Sequence, residues 1–229
     1  MVLSQALYRF AKVMCLDRPA PTILFQGKNM QKLQTQGVHH LTFVGATRQS
    51  TIDFWEGVLG MPFVFEQPNL DNPDESHLYF DPGDGRLITV FTNETREIDT
   101  TPNPEGIGNL HHIAFNVSRS TFIQAAKQLQ ERGIKNTGEI DRGFMYSIYF
   151  RDPIGQRIEL ACYKFEPPPG VTHAQVLLEA HQLRVAEGAY NIQDSHLSEA
   201  IANLTRRTQG SLSEDREPRH AYPRQVDGP

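Results

Sequence analysis

Val38-His39-His40-Leu41-Thr42-Phe43 and Leu110-His111-His112-Ile113-Ala114-Phe115 are one short phrase written twice. In each copy an apolar residue and a His-His pair lead into alternating residues that end on Phe. Alternation of this kind reads as a half-buried strand. A helical pattern follows each copy. Ile52, Phe54, Trp55, Val58 and Leu59 carry the first, and Phe122, Ala125, Ala126 and Leu129 the second. Gly60 and Gly133 close them, as a left-handed C-terminal cap requires. Three more strands are predicted after each helix, over 62–66, 77–81 and 86–92, and over 137–141, 146–151 and 156–164. Asp81-Pro82-Gly83 and Asp152-Pro153-Ile154-Gly155 mark the last turn of each set. Self-similarity at this scale sets the architecture before any single residue does. The predicted fold class is α+β, with two tandem βαβββ units (37–95 and 109–165) forming a curved mixed sheet around a cleft within a domain over 37–166.

The flanks read differently. Residues 1–36 form an N-terminal extension; Met1–Cys15 lacks acidic residues, carries Arg9 and Lys12, and reads as a short helix against the domain or a partner subunit. Pro167–Pro169 ends the sheet, and a helical extension is predicted over 167–207, with helices near 172–187 and 195–207. The polar tail over 208–229 has little to bury and is expected to be disordered.

Composition excludes several functions. With 229 residues and a net charge of −5, the chain has ample core but no basic cluster for phosphates, so no nucleic-acid partner is expected. Cys15 and Cys162 lie far apart and suggest no disulfide framework, pointing to a cytoplasmic protein. No apolar run reaches the roughly 18 residues that span a bilayer, so no membrane partner is expected.

Strand alternation sorts the candidate chemistry. Leu41 and Phe43 fall opposite His40, Thr42 and Val44; Ile113, Phe115 and Val117 fall opposite His112, Ala114 and Asn116; Ile158, Leu160 and Cys162 fall opposite Arg157, Glu159 and Ala161. The apolar sets belong against the helices. His40, His112 and Glu159 then share the cleft face with Ser147, Tyr149, His77, Tyr79, Thr89 and Phe91. Taken singly, each histidine is more often a polar strand edge than a ligand. A glutamate in an apolar strand is rarer, because a buried carboxylate is costly unless paired or metal-bound. Two histidines and one carboxylate on one face match the open-sided triad of non-haem iron(II) oxygenases.

On these residues the sequence resembles the vicinal oxygen chelate superfamily, which includes glyoxalases, fosfomycin-resistance enzymes, bleomycin-binding proteins and extradiol dioxygenases. Within it the chain is most similar to ring-cleaving dioxygenases that open hydroquinones. Gly37-Val38-His39-His40-Leu41-Thr42, Asn69-Leu70-Asp71-Asn72-Pro73 leading to His77-Leu78-Tyr79-Phe80, and Asp141-Arg142 before Ser147-Ile148-Tyr149-Phe150-Arg151-Asp152-Pro153 carry the likeness. The resemblance implies His40, His112 and Glu159 as ligands of Fe(II), with Mn(II) or Zn(II) as substitutes. It also implies catalytic roles around the substrate for His39, Arg142 and Tyr149. His77, Tyr79 and Phe91 are the expected substrate pocket. The expected reaction uses O₂ to open a hydroquinone- or catechol-like ring.

Departures temper this. Such ring-cleaving enzymes usually carry four units, and this chain has two; alternation also turns His39 away from the cleft unless the strand begins at His40. Two rival functions stand beside the dioxygenase: a glyoxalase- or fosfomycin-type lyase, isomerase or transferase, and a metal-free small-molecule binding protein. Thr89 occupies the place of Glu159 in the first unit, where a glyoxalase-type isomerase would carry a further ligand. Apolar stripes at Val176, Leu177, Ala180, Leu183 and Val185, and at Leu197, Ile201 and Leu204, predict helices that contribute to a homodimer.

Overall fold

A computed structural model describes residues 34–210. The helix expected near the N-terminus and the tail beyond Gly210 lie outside the described residues. The first unit runs β1 (His40–Val44), α1 (Arg48–Trp55), β2 (Phe63–Pro68), β3 (Ser76–Phe80) and β4 (Leu87–Thr92). The second runs β5 (Ile113–Asn116), α2 (Arg119–Glu131), β6 (Ile140–Asp141), β7 (Met145–Arg151) and β8 (Arg157–Tyr163). Each makes a four-stranded mixed sheet, ordered β1-β4-β3-β2 and β5-β8-β7-β6. The single curved sheet of the expectation is thus two sheets of identical topology. In both, the first strand lies parallel to the last and the other pairings are antiparallel.

Local chemistry fixes the elements. Thr47 caps α1 by accepting from Ser50 N, and Ser118 caps α2 by accepting from Thr121 N. Phe122, Ala125 and Leu129 then point one stripe of α2 inward. Both helices pack into one core with the apolar faces of both sheets, Leu78, Phe80, Ile88 and Val90 from the first and Ile148, Phe150, Ile158 and Leu160 from the second. Trp55 joins the halves, its ring centroid 5.2 Å from Phe43, 6.4 Å from Phe80 and 6.1 Å from Phe115. Each such side chain contributes about 1.5–3 kcal/mol by leaving water. On the opposite faces the first strands are exposed at His40, Thr42, Val44, Ala114 and Asn116, while Thr89, Ser147 and Glu159 further in are buried.

Three expected boundaries shift. The first strands, expected over Val38–Val44 and His111–Val117 from the alternation, begin at His40 and Ile113, two residues later. The Val38 carbonyl accepts from Arg86 Nε at 2.7 Å rather than from a strand. The strand expected over 137–141 shrinks to Ile140–Asp141, because Gly138 adopts φ 70 and breaks the ladder; Asn136 still bridges Phe150.

The helices of the extension, α3 (His173–Glu187) and α4 (Asp194–Gly210), match the predicted pair, with α4 running past residue 207 where the tail was expected to start. A capping box at Thr172 and Gln175 starts α3, and Gly188 at φ 77 ends it. Their stripes close on Phe144 and Phe165 of the second unit, in a second core around Val176, Ala180, Leu197 and Ala200. Leu177, Leu183, Ile201 and Leu204 pack on this core. Val185 does not, being 57% exposed. The stripe therefore covers its own chain.

Candidate metal centre

In the second unit the ladder aligns Ala114 with Glu159 and Glu159 with Tyr149, so the three stand side by side on the face away from the helices. His112, two residues before Ala114, places Nε2 2.9 Å from Glu159 Oε2. Glu159 is 1% exposed, and its Oε1 has no hydrogen-bond partner. An orphaned carboxylate oxygen at that depth is costly unless something else binds it. Ala114 supplies only a methyl group opposite it, which leaves room. The Tyr149 ring stands edge-on to His112 at 5.7 Å, and the Arg142 guanidinium lies 5.5 Å from the Tyr149 ring centre.

A relay supports His112 from behind. Arg157 can only donate, so its contact with His111 Nε2 at 2.6 Å makes that nitrogen an acceptor. His111 Nδ1 lies 2.7 Å from His112 Nδ1, and His112 Nε2 faces Glu159. Glu105 holds Arg157 in place at 2.6 Å. Sequence reasoning missed His111, Glu105 and Arg157; the repeated His-His pair was the available signal.

The first unit carries a different set. His77 Nδ1 meets the Tyr79 hydroxyl at 2.8 Å, while its Nε2 is buried without a partner. Burial, followed by the nearby His40, lowers the His77 pKa and favours the neutral ring. Phe91 lies 4.3 Å from His77, and Phe65 stacks on Tyr79 at 4.1 Å. Phe65 escaped the sequence reading because a bulge between Phe63 and Phe65 resets the alternation. Thr89 donates to Thr42 at 2.8 Å, closing the place that Glu159 occupies in the second unit. His39 Nδ1 lies 2.8 Å from His40 Nδ1, where His111 sits relative to His112.

The structure brings His112, Glu159, Tyr149 and Arg142 together, and separately His40, His77, Tyr79 and Phe91. Among the described residues no three His, Cys, Asp or Glu side chains converge tightly enough to hold a metal ion. A groove of about 1030 Å³ runs between α1 and the start of the β7–β8 turn. Tyr149 and Arg157 reach it, whereas His40, His112 and Glu159 do not line it.

The model of the Glyoxalase/Bleomycin resistance protein/Dioxygenase superfamily matches residues 37–160, more than half of the chain, from before β1 into the middle of β8. The chain belongs to this superfamily.

Within the superfamily, "Putative ring-cleaving dioxygenase MhqO" of Bacillus subtilis (strain 168) is 28% identical over 127 residues, covering 56% of this chain and 40% of that protein. "Putative ring-cleaving dioxygenase MhqA" of the same organism is 28% identical over 134 residues, with the same two coverages. This chain thus spans about two fifths of the length of these relatives. A solved structure, "putative dioxygenase from Bacillus subtilis subsp. subtilis str. 168", is 28% identical over 56% of this chain and 41% of its own, with a TM-score of 0.47. The superfamily match ends at residue 160, so α3 and α4 lie outside it. No helix among the described residues is long and apolar enough to cross a membrane.

Proposed function

We propose that the chain is a ring-cleaving dioxygenase acting on a hydroquinone-like ring, with iron(II) held by His112 and Glu159 of one copy and His40 of a second. The buried Glu159 with its orphaned Oε1 beside His112 carries this reading. Two imidazoles and one carboxylate suit a metal that must keep positions open. Only two of those donors approach each other within the chain. The first strand of each sheet is exposed on the face that carries them, and among the described residues the outer edges of β1 and β5 are unpaired. A C₂ pairing that sets one copy's first sheet against the other's second sheet would complete two equivalent sites.

When bound, iron(II) lets O₂ react with an electron-rich ring. The chain's own groups divide the remaining work. Phe65, Tyr79 and Phe91 offer an aromatic wall for the ring. The free Nε2 of His77 meets a ring hydroxyl and accepts its proton in the neutral tautomer whose Nδ1–H donates to the Tyr79 hydroxyl. The Tyr149 hydroxyl hydrogen-bonds the reacting oxygen, and Arg142 holds an anionic substituent through its planar fork. One ring C–C bond breaks and both atoms of O₂ enter the product, so no external reductant is consumed.

Metal analysis after anaerobic purification, combined with O₂ uptake on hydroquinone and catechol, tests the activity. Iron with uptake supports it. Manganese or zinc without uptake turns the reading to a transferase or isomerase, and a protein that takes up no metal turns it to a binding protein. Mixing His40→Ala with His112→Ala tests the shared site. Mixed dimers regain one intact site each, or about a quarter of wild-type metal occupancy on random exchange. A site built within one chain regains none.

A further inference from the structure

We infer that the α3–α4 extension positions Arg142, and that Lys164 is the residue through which it acts. The inference rests on the reading of Arg142 as the anion-holding group. The hairpin that carries Arg142 is short: β6 pairs with β7 at Ile140↔Ser147 and Asp141↔Tyr146, and Arg142 N donates to Met145 O at 2.9 Å to close the turn. No carboxylate among the described residues pairs with Arg142, whose guanidinium rests over the Tyr149 ring. Where the hairpin goes, Arg142 goes.

Three attachments tie the hairpin to the extension. Gly143 turns at φ 87, and a Cβ there would lie 2.6 Å from the Ile192 carbonyl, so the loop between α3 and α4 rests on the backbone of the turn. Phe144 packs into the second core, and its carbonyl accepts from Lys164 N at 3.1 Å. The Lys164 ammonium then bridges Asp141 Oδ2 at 3.2 Å and Asp194 Oδ1 at 3.0 Å, the latter at the first residue of α4. The other Asp141 oxygen accepts from Gly143 N at 2.7 Å and braces the turn. That bond, then Lys164, holds the Asp141 carboxyl below its usual range, so it stays charged. One ammonium thus couples a carboxylate that shapes the turn to one that starts the helix. It is a positioning residue, since it touches neither the ligand pair nor Tyr149 by hydrogen bond.

The test uses the full chain with Lys164→Met, which keeps the aliphatic stem, and Lys164→Arg, which keeps the charge. Amide hydrogen exchange over 142–146 should accelerate about tenfold in Lys164→Met while β8 and α2 keep their protection, and Lys164→Arg should restore it. Affinity for 2,5-dihydroxybenzoate, a carboxylated hydroquinone, should fall about fivefold with none lost for hydroquinone itself, and that difference should vanish in an Arg142→Ala background. Unchanged hairpin exchange, or an increase spread equally over β8 and α2, overturns the inference, as does equal weakening of both probes. A wild-type protein that binds neither ring defeats the reading of the site, and hairpin exchange then still decides what Lys164 does.

Discussion

The two βαβββ units share a topology and the register among their first, third and fourth strands, and they differ at a handful of positions on the face away from the helices. Thr42 faces Thr89 in the first unit, and Ala114 faces Glu159 in the second. Tyr79 and Tyr149 are equivalent neighbours of those residues. Two positions further along, the first unit has His77 beside Phe91 where the second has Ser147 beside Ala161. The first unit has therefore satisfied its polar pair internally and built an aromatic wall. The second holds a buried acid, a histidine and space. On the three strands whose register the units share, the division of labour is made by side chains.

Rewriting the second unit as the first is the most damaging way to break that division. Glu159→Thr with Ala114→Thr should abolish stoichiometric metal binding, as should Glu159→Gln or His112→Ala alone. The loss should exceed the roughly 10–100-fold seen when only a supporting partner of a ligand is removed. Metal analysis after dialysis reads it, with circular dichroism to show the fold intact; a fully loaded variant ends the assignment.

The equivalent tyrosines sharpen the contrast. Tyr149→Phe should keep the metal and slow turnover by about 10²–10⁴-fold, the usual range for a lost proton-transfer or hydrogen-bonding group. Tyr79→Phe should cost less than about tenfold, because its hydroxyl is engaged with His77. Equal effects in steady-state rates would place both tyrosines in the same role.

The last turns of the two units also differ. Asp81 is exposed, whereas Asp152 is buried and its pKa is pushed up to about 6 by that burial, against hydrogen bonds from Gln156 and Ile154. A carboxyl raised in the fold favours its neutral form there, so ionisation costs stability as pH climbs from near 4 through 6. Asn keeps the oxygen that accepts from Ile154 and Gln156. Asp152→Asn should therefore gain about 1–3 kcal/mol at pH 8 and progressively less down to pH 4. Urea unfolding at the two pH values measures it; a gain independent of pH would show that charge is not the cause. The smallest effect belongs to Thr89→Val, which removes the buried bond to Thr42 at about 1 kcal/mol and should leave metal binding as it was.

Much of this was legible in the sequence because it is periodic. Alternation assigned His40, His112 and Glu159 to the face away from the helices, and the repeat gave the topology. What periodicity cannot give is whether equivalent faces of two units meet within one chain, so the separation of His40 from His112 and Glu159 came only from the structure. The bulge beside Phe65 and the interruption at Gly138 were hidden for the same reason: each breaks the period that reading depends on. The stripes on α3 and α4 announced that a face is buried but not against what, since a hydrophobic pattern carries no address. Phe144 and Phe165 supply that address. Contacts distant in sequence were invisible too, such as Asn103 Nδ2 donating to Gln156 at 3.0 Å, which straps the linker between the units to the last turn.

Trp55 is the chain's single tryptophan, 3% exposed, and it touches phenylalanines of both units. The molecule therefore carries one indole, seated at the seam between its halves and excited selectively over its seven tyrosines at long wavelength. Its emission is blind to melting confined to α3 and α4, whose core excludes it. Separation of the two units would bring water to the indole and shift its emission to the red, so an ordinary fluorescence trace distinguishes a loosened extension from a parted scaffold without any added label.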